Sequence, residues 1–369
     1  MSISKPPFLA PCITLVGLAW LGNAAYALAE AGSYLQLLAS APVAVGMIGF
    51  LFLHGSYRYG MATMVAFVSV VFVAGWGFEM LSILTGFPFG NYHYTESMRP
   101  FIGQVPVFVM PAYGVMGYVC WSMAHILTGK FDDGADRRQV TVIPLVAALL
   151  MVVWDLSMDP LRSTLEQRWI WIEGGWHFGV PLSNSFGWLV VTWTMFQAFA
   201  VYLKVFGDGN GRDGTAPARL DENYWGLVPL MYVAFAVEYV LNPFLRDDYT
   251  ILEINGVLWS AAELFAAIAV LCCLTMAPIA GWAMIIVVRR FGLPASFGKT
   301  NGLRLAAFAS IQPVNGENHE GERIENQISY PAFAGLAPVN GTPQPDGGAG
   351  PSRGGRQTAA SKPNDAEKA

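Results

Sequence analysis

Residues 140–160 read VTVIPLVAALLMVVWDLSMDP, an apolar stretch with two acidic side chains near its end. Residues 140–158 approach the length of roughly 20 residues that crosses a bilayer as a helix. Asp155 and Asp159 stand four residues apart, so a helix presents both on one face. An ionised carboxylate in hydrocarbon is costly unless it is paired, wetted or protonated, and such residues tend to mark functional sites. This stretch therefore predicts a transmembrane helix that carries a reactive pair of acids.

The remainder of the chain has the same membrane character. Hydrophobic residues make up 54% of the sequence and charged residues 13%, whereas soluble domains carry roughly 25% charge. The last apolar stretch is too long for one straight crossing and too short for two, and Pro278 is where a kink or turn can absorb the excess. We predict an all-α polytopic membrane helix bundle of about eight transmembrane helices, at residues 8–29, 35–54, 61–84, 105–127, 140–158, 182–206, 225–244 and 256–288.

Lys and Arg residues indicate the orientation of these helices. Counted in alternate short loops, twelve lie on one side of the membrane and four on the other, and the richer side is usually cytoplasmic. We therefore predict a multi-pass protein of the cell membrane with both termini cytoplasmic. Lys5, the first apolar run and Ala27-Leu28-Ala29 also have the pattern of a signal peptide. We expect an uncleaved first helix, and cleavage would leave seven helices.

The end of the chain differs from the membrane part. Apolar periodicity fades after Phe291, and residues 312–369 consist mainly of Gly, Pro, Asn, Ser, Ala and scattered charges. Such a segment cannot bury enough apolar surface to offset its ordering entropy. We predict a multi-pass membrane catalytic domain at residues 1–291 and a largely disordered cytoplasmic tail at residues 292–369. The net charge of −5 does not indicate a nucleic-acid-binding protein, and the spacings of the Cys and His residues do not indicate a metal site.

Five acidic side chains are embedded in the apolar segments. Each lies within about eight residues of the same predicted end of its segment, which under the predicted orientation is the outer end. Because it is energetically unfavourable to place an ionised acid in hydrocarbon, the clustering of these acids predicts a reaction site toward the outer membrane face. These acids are Glu79, Asp155, Asp159, Glu238 and Glu263.

Three outer segments carry dense polar and aromatic chemistry. They read GFPFGNYHY (86–94), WDLSMDP (154–160) and GGWHFGVPLSNSFGW (174–188). Gly and Pro in the first favour a tight turn, and Pro160 is expected to stop the helix that carries the two aspartates. Asn184 in the third is expected to lie at the start of the sixth helix. All three segments are predicted to share one membrane face.

The strings GFPFGNYHY, WDLSMDP and HFGVPLSN followed by GW resemble the carotenoid biosynthesis membrane proteins that include the carotenoid 1',2'-hydratases. The likeness spans roughly residues 70 to 265. It implies addition of water to the terminal isoprenoid double bond of an acyclic or monocyclic carotenoid, which produces a tertiary alcohol and needs no cofactor. The expected partners are the carotenoid substrate, the lipid bilayer and other enzymes of the carotenoid pathway.

The embedded acids suit this hydration. Protonating an isolated alkene requires a positioned strong acid, and a carboxylic acid in apolar surroundings can remain protonated and donate. We predict Asp155 as the general acid, with Asp159 or Glu79 as the partner that activates water, and aromatic faces that stabilise the developing cation. The predicted lining of the substrate cleft comprises Trp76, Phe87, Phe89, Asn91, Tyr92, Tyr94, Trp154, His177, Asn184, Glu238, Trp259 and Glu263.

Structural roles are open for the same residues. Asp155 can hydrogen-bond loop amides or Asn184, and Asp159 can pair with Arg162 three residues on. Glu79 can form a buried interhelical hydrogen bond. The two acids of the last helices have polar residues at four-residue spacing, which is typical of a structural network. The loop tyrosines and histidine also fit a belt of interfacial residues.

Two other functions are open from the sequence. A metal-dependent membrane prenyltransferase could bind Mg²⁺ through Asp155 and Asp159, with Asp247 and Asp248 as adjacent acids in a short outer loop. A non-catalytic carotenoid-binding or assembly protein could use its acids for helix association alone. A cyclase or isomerase is chemically close, because the same carbocation can close a ring or lose a proton.

Overall fold

The computed structural model describes residues 8–29, 33–132, 136–206, 220–246 and 250–292. Within these ranges the chain is a bundle of α-helices, which confirms the predicted fold class. The predicted cytoplasmic tail lies outside the described residues apart from Gly292, and so do Asp247 and Asp248. The division of the chain into a membrane domain and a tail therefore stays a prediction.

Ten α-helices and three short antiparallel ribbons run through the described ranges. The ribbons are β1 (Tyr92–Tyr94) with β4 (Trp169–Trp171), β2 (Phe101–Ile102) with β3 (Val105–Pro106), and β5 (Ile251–Ile254) with β6 (Val257–Ser260). The helices are α1 (Leu9–Leu28), α2 (Tyr34–Tyr59), α3 (Met61–Thr85), α4 (Val109–Leu127), α5 (Ile143–Asp159), α6 (Leu182–Phe206), α7 (Glu222–Ala234), α8 (Val237–Leu245), α9 (Ala261–Leu274) and α10 (Met276–Phe291).

Seven segments of the described chain are long and apolar enough to cross a membrane. They are α1, α2, α3, α6, the extended α5 segment (Arg138–Leu165), the α7–α8 pair (Glu222–Leu245) and the α9–α10 pair (Ala261–Phe291). The eighth predicted segment is α4, whose Tyr, Gly, Ser and His residues interrupt its apolar sequence. Fifteen of its 19 residues are buried, and it packs against α2, α3, α5, α7 and α10. α4 therefore lies at the centre of the bundle and contacts protein more than lipid.

The prediction that Pro160 stops the helix of the two aspartates is wrong. The helix continues through Pro160 into a π-helical turn, Pro160–Leu165, in which the Glu166 N–H donates to the Leu161 carbonyl (3.0 Å). Proline has no N–H to donate, and the clash of its ring with the preceding turn is relieved where the helix widens. The widened turn carries Arg162 into the interior.

The last predicted helix also differs in its bounds. Residues 256–260 belong to the β5–β6 hairpin, and α9 begins only at Ala261, after Ser260 accepts a hydrogen bond from the Glu263 N–H (3.4 Å). The helix is then interrupted at Thr275, between α9 and α10. Pro278 explains the break, because its ring clashes with the carbonyl four residues earlier. The kink is therefore located where the sequence predicts it.

The β1–β4 ribbon gathers four helix ends. β1 follows α3, β4 lies between the end of α5 and the start of α6, and the segment after β1 leads into α4. Gly86 ends α3 with a left-handed φ of 78° and starts the turn that leads to β1. The Phe89 N–H then donates to the Ser82 hydroxyl (3.2 Å), which ties this turn to α3. The embedded acids of α3 and α5 are thereby brought to one end of the bundle.

α1 and α2 approach each other closely through glycine. A Cβ atom at Gly46 would lie 2.6 Å from the Leu15 carbonyl oxygen and 2.8 Å from the Ala19 nitrogen. A Cβ atom at Gly17 would meet nothing within 4 Å. Gly46 thus allows contact of the two backbones and Gly17 does not contribute to it.

We expect Gly46→Val to force α1 away from α2 and to destabilise the protein by about 2 kcal/mol, the typical cost of overpacking. Thermal unfolding in detergent measures this effect. Gly17→Val is the matched control, since it makes the same change in a helix interior without a clash. Equal unfolding midpoints for the two variants would contradict the close α1–α2 contact.

Candidate active site

A cavity of about 290 Å³ lies at the end of the bundle gathered by the β1–β4 ribbon. Its lining comes from α1 to α6, α8 and both strands of the ribbon. Four acids contribute to its wall: Glu79 on α3, Asp155 and Asp159 on α5, and Glu238 on α8. Each of the four residues exposes 4% or less of its surface. The cavity therefore brings together four of the five embedded acids.

The ribbon faces the cavity with aromatic side chains. Tyr92 pairs with Trp171 and Tyr94 pairs with Trp169 in the antiparallel register. Alternate residues of a strand point to the same face, and all four of these side chains line the cavity. His93, between the two tyrosines, points to the opposite face and is exposed. The ribbon thus forms one wall of the cavity, and its tyrosine hydroxyl and tryptophan indole groups are hydrogen-bond donors.

Glu79 accepts hydrogen bonds from three tyrosine hydroxyls. Tyr113 on α4 donates to Oε1 (2.7 Å), and Tyr94 donates to Oε2 (3.0 Å). Tyr92 donates to the same Oε2. Burial, followed by the charge of Glu79, raises the pKa of the Tyr92 and Tyr94 hydroxyls, so both keep the protons that they donate. This arrangement stabilises a buried carboxylate on α3 and fixes its position.

The two aspartates of α5 share one amide donor. The Asn184 side-chain nitrogen donates to Oδ2 of Asp155 (2.9 Å) and to Oδ2 of Asp159 (2.6 Å). Oδ1 of Asp159 also accepts from the indole N–H groups of Trp169 (2.8 Å) and Trp171 (3.3 Å). Asp159 therefore has three N–H donors, and its negative charge is the better stabilised of the pair.

Asp155 retains an oxygen without a close donor. Its Oδ1 is buried, and no group in the described part of the chain donates a hydrogen bond of normal geometry to it. The Trp188 indole lies near the carboxyl group and interacts with it only weakly. Unsatisfied buried oxygens are rare in folded proteins and require an explanation. A protonated Asp155 that directs its O–H into the cavity would supply one.

An aromatic wall surrounds this oxygen. Trp188 stacks on Tyr113, with ring centroids 4.7 Å apart, and meets Trp154 edge to face at 5.8 Å. Phe235 packs edge to face on Trp154 at 6.3 Å, and Phe89 lies 6.1 Å from Trp188. These π faces line an apolar cavity and can stabilise positive charge inside it.

A second part of the cavity wall, formed by Arg162, Arg168 and Glu238, belongs to a balanced ionic network. Arg162 lies 2.5 Å from an oxygen of Glu238 and 2.5 Å from an oxygen of Glu166. Arg168 pairs with Glu166 (2.6 Å) and donates to the Tyr26 hydroxyl (2.5 Å). Burial alone would raise the pKa of Glu166, but the two guanidinium groups outweigh it and hold that pKa below its usual value. Two cations and two anions thus balance on this side.

The two walls differ in charge balance. No ion pair within the described ranges involves Glu79, Asp155 or Asp159. The sequence-based alternative in which Asp159 pairs with Arg162 is wrong, because the widened turn after Pro160 directs Arg162 toward Glu238. The three acids are held by neutral donors, so excess negative charge or a retained proton must reside among them.

The cavity contains most of the predicted site. The predicted residues in its lining are Glu79, Phe89, Tyr92, Tyr94, Trp154, Asp155, Asp159, Asn184 and Glu238. Glu238 is there as the partner of Arg162, as expected of a residue in a structural network.

Three predicted lining residues have polar partners elsewhere. Trp76 donates its indole N–H to a backbone carbonyl of β2 (3.0 Å). Asn91 donates to a carboxylate beyond β4 (2.6 Å), and the His177 ring hydrogen-bonds a backbone carbonyl of α5 (2.7 Å). None of the three belongs to the cavity lining. They secure the loops around the site instead.

Three further predicted residues point away from the cavity. The Phe87 side chain is 60% exposed. Trp259 lies in the β5–β6 hairpin and packs on Phe178, with ring centroids 5.7 Å apart. Glu263 is exposed in the first turn of α9, because that helix begins later than predicted. The sequence-based placement of these residues in the cleft lining is not supported by the geometry.

Several site residues were missed by sequence reasoning. Tyr113, Trp188, Trp169 and Trp171 line the cavity, and all but Trp188 donate to one of the acids. The alternation Trp169-Ile170-Trp171 is a strand pattern that could have indicated a two-sided ribbon. Tyr113 is one of several tyrosines in an apolar helix, and its sequence position carries no signal of its partner on α3.

A family model described as "carotenoid biosynthesis protein" matches residues 31–244. No curated protein and no solved structure matches the chain. The matched range contains all four acids of the cavity wall, and Glu263 lies beyond it.

We expect Arg162→Met to destabilise the protein by between about 3 and 5 kcal/mol, because it leaves the buried Glu238 carboxylate without a cation and leaves Glu166 with Arg168 alone. Adding Glu238→Gln should recover part of this loss. Arg99→Met is the control, since its pair with Glu96 is solvent-exposed and surface pairs contribute little. Thermal unfolding in detergent gives the comparison, and an Arg162→Met protein as stable as Arg99→Met would contradict the network.

Proposed function

The chain belongs to the carotenoid biosynthesis protein family, and we propose that it adds water to a terminal isoprenoid double bond of an acyclic or monocyclic carotenoid. The product is a tertiary alcohol. The observation that carries the proposal is the cluster of three buried acids without a cationic partner in an aromatic cavity. Hydration of an isolated alkene needs a proton donor, a water-activating base and protection of a carbocation, and this cluster offers each of them.

Asp155 is the proposed general acid. Two carboxyls that share one amide donor in an apolar cavity should not both be ionised. The two indole N–H groups on Asp159 favour the charge there, so the proton of the pair resides on Asp155. Its free Oδ1 is the oxygen from which this proton can leave.

The reaction balances within the pair. The Asp155 proton forms a new C–H bond with the π electrons of the alkene at its less substituted carbon, which leaves a tertiary cation. Water then forms the C–O bond at the more substituted, cationic carbon and loses a proton to the Asp159 carboxylate. Proton transfer between the two aspartates then restores the starting state, and no electrons enter or leave.

Glu79 has a separate proposed role. Its oxygens accept hydrogen bonds from three tyrosine hydroxyls, so they are less accessible to a water molecule than the oxygens of Asp159. A fixed carboxylate beside the cavity stabilises a cation electrostatically, and preorganised charge of this kind is a large term in catalysis. We therefore assign the water-activating role to Asp159 and cation stabilisation to Glu79, together with the faces of Trp154 and Trp188.

The donor set also bears on the prenyltransferase alternative. Mg²⁺ requires oxygen ligands in near-octahedral geometry, whereas Asp155 and Asp159 are approached by the N–H groups of an amide and two indoles. Such donors suit a carboxylate or carboxylic acid better than a metal ligand. The pigment analysis described next distinguishes the hydratase from the non-catalytic carotenoid-binding protein.

We expect expression in cells that accumulate an acyclic carotenoid to yield products heavier by one water per modified end. Asp155→Asn removes the acid and should lower hydrated product by at least about 100-fold, the usual contribution of general acid catalysis. Glu263→Gln makes the same chemical change outside the cavity and should retain product. Pigment mass analysis at matched protein levels is the readout.

Two outcomes of that experiment would reject the proposal. Unaltered pigment that copurifies with the wild-type protein would favour a carotenoid-binding protein. Hydrated product from Asp155→Asn at wild-type yield would eliminate Asp155 as the proton donor.

We also propose that both termini are cytoplasmic and that the cavity lies in the outer half of the membrane. The excess of Lys and Arg in alternate loops supports this orientation. Labelling of single cysteines with a membrane-impermeant reagent should then modify an Asn91→Cys protein from outside intact cells and an Arg137→Cys protein only after lysis. The reverse pattern would invert the topology.

A further inference from the structure

The cavity is too small for an entire carotenoid. Its volume of about 290 Å³ is just below the usual range for small-ligand pockets, roughly 300–1,000 Å³. A carotenoid is a rigid rod of roughly bilayer length, about 30 Å. If an end group reaches Asp155, most of the polyene must therefore lie outside the cavity, and it needs an apolar opening through which to pass.

The exposed part of the cavity wall is apolar. Phe108 and Ala112, at the start of α4, are the exposed members of the lining in the described chain, with Phe108 62% exposed. Val43 on α2 and Val109 on α4 are half-buried beside them, and Met47 lies deeper on α2. The acids, by contrast, are buried. The cavity thus reaches the surface between α2 and the first turn of α4.

This surface is suited to lipid. On the same helix as Val43, the Val45 and Ile48 side chains are also apolar and are 57% and 39% exposed. Val43 lies nine residues into α2, which is about 14 Å along the axis at 1.5 Å per residue, so the opening lies below the helix end. Half-buried Arg168 and Met98 border the cavity nearer the ribbon, and Arg168 is already paired with Glu166. A polyene is better solvated on the α2–α4 side.

We propose that Val43, Met47, Phe108, Val109 and Ala112 form a lateral portal, through which the end group enters from the bilayer and in which the adjoining polyene remains during reaction. The identity of this ligand rests on the proposed function. The portal lets one end of the rod reach the acids while the remainder stays in hydrocarbon. It also limits the reaction to one end at a time.

Site-specific photocrosslinking tests the portal without requiring turnover. The full-length protein, with p-benzoyl-phenylalanine at position 43 or 112, is irradiated in membranes that contain an acyclic carotenoid. Position 73 is the matched control, because Val73 is lipid-exposed on α3 (70%) and lies outside the cavity lining. We expect at least tenfold more carotenoid adduct at positions 43 and 112 than at position 73. Equal adduct at all three positions, or phospholipid adducts alone, would overturn the portal.

A blocking variant provides the second measurement. Ala112→Trp should raise KM and lower the yield of hydrated carotenoid at least tenfold relative to Val73→Trp, with unfolding midpoints confirming that both proteins fold. Hydration by Ala112→Trp at the Val73→Trp rate would reject the portal and leave the hydratase proposal intact. Carotenoid adducts at positions 43 and 112 in a wild-type background that forms no alcohol would retain the portal and reject the hydratase.

Discussion

The Asn184 amide donates both of its N–H groups to carboxyls that lie one helical turn apart on α5. Burying acids in an apolar bundle is possible only where donors meet them, and this constraint explains the arrangement of the site. The donors come from α4, α6, β1 and β4. The β1–β4 ribbon is needed because no single helix could supply hydroxyl and indole groups to acids on two different helices.

The cavity separates structural charges from reactive ones. On one wall, two arginines and two glutamates neutralise each other and connect α5, α8 and α1 through Tyr26. On the other wall, three carboxyls meet only neutral donors. Ion pairing favours charged forms, whereas neutral donors in an apolar cavity allow a proton to be retained. A carboxylic acid that is to protonate an alkene therefore belongs on the second wall, and the first wall maintains the geometry around it.

The sequence predicted the helices and the acids well, because both signals are local. Apolar length reveals a spanning helix, and an acid within it is conspicuous. The pairing of β1 with β4 was not predictable, because three-residue strands separated by more than 70 positions leave no local pattern. Glu263 was misassigned for a related reason: hydropathy does not distinguish the apolar hairpin of residues 251–260 from a helix start. Arg162 was misassigned because Pro160 begins a wider turn rather than ending the helix. Tertiary contacts decided each of these cases.

Under the proposed function, Asp155 on α5 protonates a carotenoid alkene, and water captures the resulting cation beside Asp159 and Glu79. The most direct test of this mechanism is incubation of the purified protein with an acyclic carotenoid in deuterium oxide enriched in ¹⁸O, followed by mass and magnetic resonance analysis of the product. The account predicts a tertiary alcohol whose oxygen comes from water and whose neighbouring carbon carries one solvent deuterium. An alcohol oxygen derived from molecular oxygen, or an alcohol without carbon-bound deuterium, would contradict it.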